Sequence, residues 1–287
     1  MALIVLRPEP DEPTFDGRKL SEWLEIYGRS SREAPNTNAL NAMIKIGTNG
    51  LPFLLHWISY EPRPPNKVKR LVSKMPMWLT PDMFHNWAIR DEEEFRANTA
   101  SLIISFLGDN AHAAIPGLVE LMNDSGRTNA SARSIIALAR IGSEALPLLL
   151  ANLADTNAPN RQLIAGQIGL QRSLVTNAGP AVPFLIECLK DHEIRVRDIA
   201  AWSLWRIARD GERPPADQVV PALTGCLDAS APRLLRMRTM LALEVYGDQA
   251  RPAVPHLLKA LADPDRGVRE SATNALEQIA PDLLPSN

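Results

Sequence analysis

The feature that most constrains the fold is a segment that occurs twice with the same layout. Residues 182–208 read VPFLIECLKDHEIRVRDIAAWSLWRIA, and residues 254–280 read VPHLLKALADPDRGVRESATNALEQIA. A proline at the second position and apolar residues three and four apart predict a short helix, and the stretch after the central aspartate predicts a second one. A chain that repeats such a helical hairpin is predicted to be an α-solenoid, because one hairpin cannot bury its own apolar face.

The landmarks of this hairpin recur along most of the chain. Prolines that are expected in the first turn of a helix follow one another at intervals of 31 to 38 residues, and each precedes an apolar ridge. Most predicted second helices end on a large residue followed by glycine, which reaches positive φ without strain. These prolines are Pro116, Pro147, Pro183, Pro221 and Pro255, with Pro52 about two repeats earlier. The predicted fold class is therefore all-α, a right-handed α–α superhelix of about seven helical hairpins.

Two segments depart from this rhythm. Residues 1–20 are predicted to be an extended lead-in, because proline and charged residues dominate 7–19. Residues 60–90 hold several prolines and a basic cluster, and we interpret them as an insertion between the two helices of one hairpin, with a short helix over 66–74. Both segments are assigned to a single domain that spans 1–287.

A second periodic mark is an aspartate in the turn of the hairpin with an arginine six residues later. We predict that these residues form a structural ladder of carboxylates and guanidinium groups between neighbouring hairpins. The pairs are Asp155 and Arg161, Asp191 and Arg197, and Asp263 and Arg269. Asp228 and Arg236 are eight residues apart, so this turn is two residues longer.

These residues carry a family resemblance. The pattern Leu-x-x-Leu-x-Asp, followed by Val-Arg-x-x-Ala and an apolar helix end, resembles HEAT repeats in the short form that is common in bacteria and related to phycobilisome-lyase-type repeats. The resemblance covers about residues 38–280, apart from the insertion. The opening residues 15–24 and 46–49 resemble a verrucomicrobial group of HEAT-repeat proteins. Members of that group often carry a hydrophobic N-terminal anchor before this motif, which makes MALIVL, residues 1–6, a candidate remnant of one.

Composition excludes several classes of function. Lys plus Arg number 31 and Asp plus Glu 33, and a net charge of −2 argues against a general nucleic-acid binder. No run approaches the roughly 18 apolar residues of a membrane span. The histidines are scattered and Cys188 and Cys226 are expected to be buried thiols, so we predict no metal site and no cofactor. We expect a monomer in the cytoplasm, or one tethered to a membrane or the cell envelope if an anchor precedes this sequence.

A stack of hairpins offers a long concave surface, so the predicted function is protein–protein interaction or scaffolding with an unknown partner. Trp202 is the candidate hot spot; the alternative is that it and Trp205 pack between repeats. The insertion is either a docking loop or a segment that its tryptophans hold against the solenoid. The candidate binding residues are Trp202, Trp205, Asp198 and Arg236 in second helices, and Lys69, Arg70, Trp78 and Trp87 in the insertion.

An enzyme on the same scaffold, DNA glycosylase-like or lyase-like, is the alternative. Asp198, Trp202 and nearby arginines are similar to the groove residues of alkylpurine DNA glycosylases, although the net charge argues against DNA. Deoxyhypusine hydroxylase is a HEAT-type enzyme with repeated His-Glu pairs, and only His192-Glu193 occurs here. A deep pocket with convergent charged groups would favour an enzyme, and an open groove would favour a binding protein.

Overall fold

The computed structural model describes residues 11–31, 34–62, 67–75 and 91–283, with only the backbone at positions 67, 69, 108 and 109. It is helical apart from one antiparallel pair of short strands, β1 (Thr14–Phe15) and β2 (Arg18–Lys19). The chain divides into two compact units, Met1–Ile141 and Gly142–Asn287.

The helices are α1 (Leu20–Gly28), α2 (Thr37–Ile46), α3 (Leu51–Ile58), α4 (Lys67–Val72), α5 (Glu92–Ile104), α6 (Ile115–Asn123), α7 (Thr128–Ile141), α8 (Leu146–Ala154), α9 (Arg161–Leu170), α10 (Arg172–Val175), α11 (Val182–Cys188), α12 (Ile194–Asp210), α13 (Ala216–Thr224), α14 (Arg233–Glu244), α15 (Val254–Ala260) and α16 (Arg266–Ile279).

The first unit holds three hairpins, α1–α2, α3–α5 and α6–α7. Helix α3 packs along α5 although the insertion separates them in sequence, and α5 packs in turn on α7. Between α3 and α5 in sequence the structure describes one helix, Lys67–Val72, where a helix is expected over 66–74. The interpretation of 60–90 as an insertion stays a prediction. Helix α1, rather than α2, packs on α5. The Trp23 indole N–H donates to the Phe15 carbonyl at 2.9 Å, which fastens the strand pair to α1.

The second unit holds four hairpins, α8–α9, α11–α12, α13–α14 and α15–α16. Their second helices pack in chain order, α9 on α12, α12 on α14 and α14 on α16. Each of these helices buries a stripe of Ala, Leu and Ile, for example Ile164, Leu204, Leu243 and Leu276. The core of this unit is therefore continuous from hairpin to hairpin, as expected for an α-solenoid. The all-α superhelical fold class predicted from the repeats is confirmed, whereas the assignment of 1–287 to one domain stays a prediction.

The first-turn prolines begin their helices as predicted, with one exception. Pro52, Pro116, Pro147, Pro183 and Pro255 occupy the first or second helical position, where a missing N–H costs nothing. Pro221 instead lies inside α13, because that helix begins earlier, at Ala216 directly after Pro215. The prediction that Pro221 opens its helix is therefore wrong.

The turn aspartates share one local role. In the turns of five of the seven hairpins the Asp side chain accepts a hydrogen bond from the backbone N–H two residues later, at 2.8 or 2.9 Å. In three of these turns the Asp carbonyl also accepts from the backbone N–H three residues later. The side-chain bond stabilises a short turn, so it explains why the same residue recurs between paired helices. The five aspartates are Asp124, Asp155, Asp191, Asp228 and Asp263.

Candidate functional site

Helices α9 and α12 of the second unit approach each other closely because α9 carries glycine at the contact. A Cβ atom on Gly169 would lie 2.7 Å from the Cα of Ser203, a distance that real Cβ atoms do not adopt. The Ser203 hydroxyl donates to the buried carbonyl of Ala165 at 2.8 Å, which fixes the two helices at this separation. The pair Gly166 and Gly169 therefore sets the geometry of this face.

One turn away, the small size of Gly166 leaves an open cleft between the same two helices. A Cβ atom on Gly166 would lie 3.3 Å from Ile199, so Ile199 and Trp202 of α12 face a backbone that carries no side chain. The resulting space, which we call the Trp202 cleft, has a volume of about 510 Å³. Its lining carries no ionisable side chain and consists of Pro159, Asn160, Gln162, Leu163, Gly166, Gln167, Leu170, Ile199 and Trp202.

Trp202 forms one wall of this cleft and is only partly buried. Within the described part of the chain its indole N–H has no hydrogen-bond partner, so the donor is available to a ligand. Leu170 on the opposite wall is 53% exposed. The cleft thus presents a large aromatic ring and an aliphatic side chain to solvent.

Trp205 is also partly buried, and it lies beneath the guanidinium group of Arg209, 4.1 Å from the ring centroid. Arg206 sits 5.9 Å from the ring centroid of Trp202 in the same way. Both arginines pair with the carboxylate of Asp210, at 2.8 Å from Arg206 Nη1 and 2.9 Å from Arg209 Nη2. The hydrogen bond from Arg209, with the charges of Arg206 and Arg172, lowers the pKa of Asp210. Nothing in the repeat pattern singles out these three arginines.

Asp198 lies on α12 one turn before Trp202, but its carboxylate is turned away from the cleft. It pairs with Arg238 of α14 at 2.7 Å, and burial raises its pKa against the opposing effect of that arginine. Asp198 is not among the residues that line the Trp202 cleft. Asp198 and Trp202, the residues behind the hypothesis of a DNA glycosylase-like enzyme, therefore do not converge on one pocket.

Arg236 is buried and belongs to an ion pair rather than to an exposed surface. Its side chain is 9% exposed, that of Asp263 is 5% exposed, and the two pair between α14 and the turn of the next hairpin. Arg161 pairs in the same way with Asp191 of the following hairpin, and its Nε–H also donates to the Leu153 carbonyl at 3.0 Å. Arg236, selected from the sequence as a binding residue, is thus occupied inside the protein.

The remaining ladder residues act within their own hairpins. Arg197 donates to the backbone carbonyl of Asp191, and Arg269 donates to that of Asp263 at 2.7 Å, so both arginines hold the turn that precedes their own helix. Asp155 is exposed, and its side chain accepts the turn hydrogen bond from Asn157. The arginine six residues after the aspartate therefore has one of two roles. Arg197 and Arg269 contact a backbone carbonyl of their own turn. Arg161 contacts the carboxylate of the next hairpin.

The candidates in the insertion are placed only in part. Arg70 is exposed on α4, and of Lys69 the structure describes the backbone alone. Trp78 and Trp87 lie outside the described residues, as does the N-terminal MALIVL. Their proposed roles in docking or anchoring stay predictions.

The described residues contain neither a metal-binding group of side chains nor a membrane-spanning helix. Over 11–31, 34–62, 67–75 and 91–283, no three His, Cys, Asp or Glu side chains are grouped so that they could hold a metal ion. Among the helices of those same ranges, none has the length and apolar character needed to cross a membrane.

Comparison with known proteins identifies the type of repeat in two segments of the chain. The family model for the HEAT repeat matches residues 181–211 and 253–283, which contain the α11–α12 and α15–α16 hairpins. The crystal structure of Kap121p covers 91% of the chain at 12% identity with a TM-score of 0.51, and the chain covers 32% of that protein. The chain therefore contains HEAT repeats at 181–211 and 253–283. No curated protein sequence matches it.

Two further solved structures match the chain with lower TM-scores. The crystal structure of an engineered protein covers 90% of the chain at 18% identity, with 73% of the engineered chain covered and a TM-score of 0.46. Human deoxyhypusine hydroxylase in complex with glycerol covers 82% at 17% identity, with 97% of the enzyme covered and a TM-score of 0.31. At such identities a likeness concerns the fold alone, so the function of these HEAT repeats has to be argued from their own surface.

Proposed function

We propose that this HEAT-repeat protein is a non-catalytic interaction module that binds a protein partner through the Trp202 cleft. The observation that carries the proposal is the cleft itself, an uncharged space of about 510 Å³ that is lined by apolar side chains and amides and walled by a partly exposed tryptophan. Binding sites are typically concave and apolar with a few polar groups, and tryptophan is enriched among the residues that dominate interface energies. The free indole N–H and the amides of Gln162 and Gln167 are the polar groups here.

The chemistry of the lining favours binding over catalysis. General acid–base and nucleophilic mechanisms need an ionisable group or an activated nucleophile within reach of the substrate, and the nine lining residues supply neither. The nearest candidate carboxylate in sequence, Asp198, is held by Arg238 outside the cleft. An overall net charge of −2 supports a protein rather than a nucleic acid as the partner. A monomeric state and a cytoplasmic location stay predictions.

The test is the substitution Trp202→Ala with partner capture as the readout. We expect the variant to lose a partner that the unaltered protein retains, because the aromatic wall of the cleft is removed. Since Trp202 is only partly buried, we expect a loss of about 1 kcal/mol in stability, well below the 3–5 kcal/mol of a fully buried tryptophan. Affinity capture with mass spectrometry and thermal unfolding give the two values.

Leu258→Ala is the matched control, because Leu258 is 45% exposed on α15 of the same unit, outside the cleft. This variant should retain the partner at full strength. A Trp202→Ala protein that captures the same partner as Leu258→Ala contradicts the proposal. A stability loss of several kcal/mol would instead identify Trp202 as a core residue.

A further inference from the structure

Beside the Trp202 cleft, three arginines share one carboxylate. Asp210 accepts from Arg206 and Arg209, and it also experiences the charge of Arg172 at the start of α10. We call Arg172, Arg206 and Arg209 the arginine cluster. One carboxylate neutralises one guanidinium group, so these four side chains together carry a net charge of +2.

The cluster is held in place by two tryptophans, of which Trp202 forms a wall of the cleft. Arg206 stacks near Trp202, and its Nε–H donates to the carbonyl of Gly169 at 3.4 Å. Arg209 stacks on Trp205 at 4.1 Å. Guanidinium groups that are already oriented lose less conformational entropy when they bind a further acceptor, and their fork suits a carboxylate.

The local charge differs from that of the whole chain and from that of the cleft. The protein carries a net charge of −2, the cleft lining carries none, and the cluster has an excess of two positive charges. Arg206 joins the two surfaces, because it contacts both the Trp202 ring and the Asp210 carboxylate. A ligand that fills the cleft therefore has to extend over, or end beside, a positively charged surface.

We propose that the partner segment is an acidic peptide, with a large apolar residue in the Trp202 cleft and Asp or Glu residues over the arginine cluster. This inference rests on the proposed function and adds the chemistry of the partner. Apolar burial supplies affinity, and the carboxylates supply selectivity, because a basic or neutral segment leaves the excess guanidinium charge unmatched.

The test is a selection of random peptides displayed on phage against the full chain, at low and at high salt. Four proteins are compared: the unaltered chain, Trp202→Ala, the double variant Arg172→Gln/Arg209→Gln, and the control Arg251→Gln/Arg266→Gln. The control removes two exposed arginines of the same unit that pair elsewhere, with Asp248, Asp282 and Glu270. Arg172→Gln alone is a further variant. Its side chain is exposed and lies on the four-residue helix α10.

We expect the unaltered chain and the control to select peptides that are several-fold enriched in Asp and Glu beside a large apolar residue. The best of these peptides should bind about tenfold more weakly to Arg172→Gln/Arg209→Gln, and the difference should shrink at high salt. Arg172→Gln should show part of this loss with an unchanged melting temperature.

The other outcomes separate the two proposals. Peptides that depend on Trp202 but show no acidic enrichment overturn the acidic-peptide inference and leave the proposed function intact. If Trp202→Ala selects the same peptides as the unaltered chain, the proposed function is overturned. A single-stranded oligonucleotide that binds more tightly than the selected peptides, or a selection that enriches nothing, overturns both.

Discussion

At the residue scale, buried ion pairs link successive hairpins of the second unit. Arg236 and Asp263 are both nearly inaccessible, so removal of either partner leaves an uncompensated buried charge. Burial acts to raise the pKa of Asp263, but the backbone N–H of Asp265 and the guanidinium group of Arg236 outweigh it and lower the pKa. A carboxyl whose pKa is lower in the folded than in the unfolded chain stabilises the fold at pH values above its unfolded pKa, which is near 3.9.

We therefore predict that Asp263→Asn destabilises the protein by about 3 kcal/mol at pH 7 and reduces its sensitivity to acid. In the unaltered chain this stabilisation is lost as pH falls through the depressed folded pKa of Asp263. Urea unfolding at pH 7 and at acid pH measures both effects. Asp228→Asn is the matched control, because Asp228 makes the same turn hydrogen bond but is exposed and has no ion pair within the described residues. Equal losses in the two variants would contradict the assignment.

At the element scale, the close packing of α9 on α12 depends on which glycine faces the partner helix. We predict that Gly169→Ala destabilises the protein by about 1–3 kcal/mol, because the new Cβ meets the Ser203 backbone at 2.7 Å and the helices must separate. Gly166→Ala should be close to neutral. Its Cβ meets only the Ile199 side chain at 3.3 Å, and the gain in helix propensity offsets this contact. Chemical denaturation of both variants checks the order, and a Gly169→Ala protein as stable as Gly166→Ala would contradict it.

The sequence predicts those parts of the fold that depend on local rules. A proline fixes the first turn of its own helix and an aspartate closes its own turn, so Pro183, Pro255 and the turn aspartates could be interpreted one hairpin at a time. Pro221 misled the prediction because an earlier proline, Pro215, already begins that helix.

The candidate site could be predicted only in part, because its geometry depends on residues in different hairpins. Trp202 stood out by residue type, but the cleft beside it exists because Gly166 is opposite Ile199 in another hairpin. Arg236 looked exposed because its partner, Asp263, lies 27 residues further along the chain. Neither relation follows from helical periodicity, since each needs the register between stacked hairpins.

At the scale of the whole molecule, the assignment of 1–287 to a single domain makes a calorimetric prediction. Hairpins of a repeat array stabilise one another through neighbours, so one cooperative transition is expected if all of them belong to one array. Scanning calorimetry should then give equal calorimetric and van't Hoff enthalpies. Two resolved transitions would show instead that the compact units Met1–Ile141 and Gly142–Asn287 unfold separately.

The central claim is that this HEAT-repeat protein binds a partner through the Trp202 cleft between α9 and α12. Amide hydrogen exchange of the full chain, with and without its captured partner or a selected peptide, tests it most directly. We predict added protection in peptides that cover 159–170 and 195–210, with no change in the α15–α16 hairpin. Protection confined to other helices, with these two segments unchanged, would contradict the account.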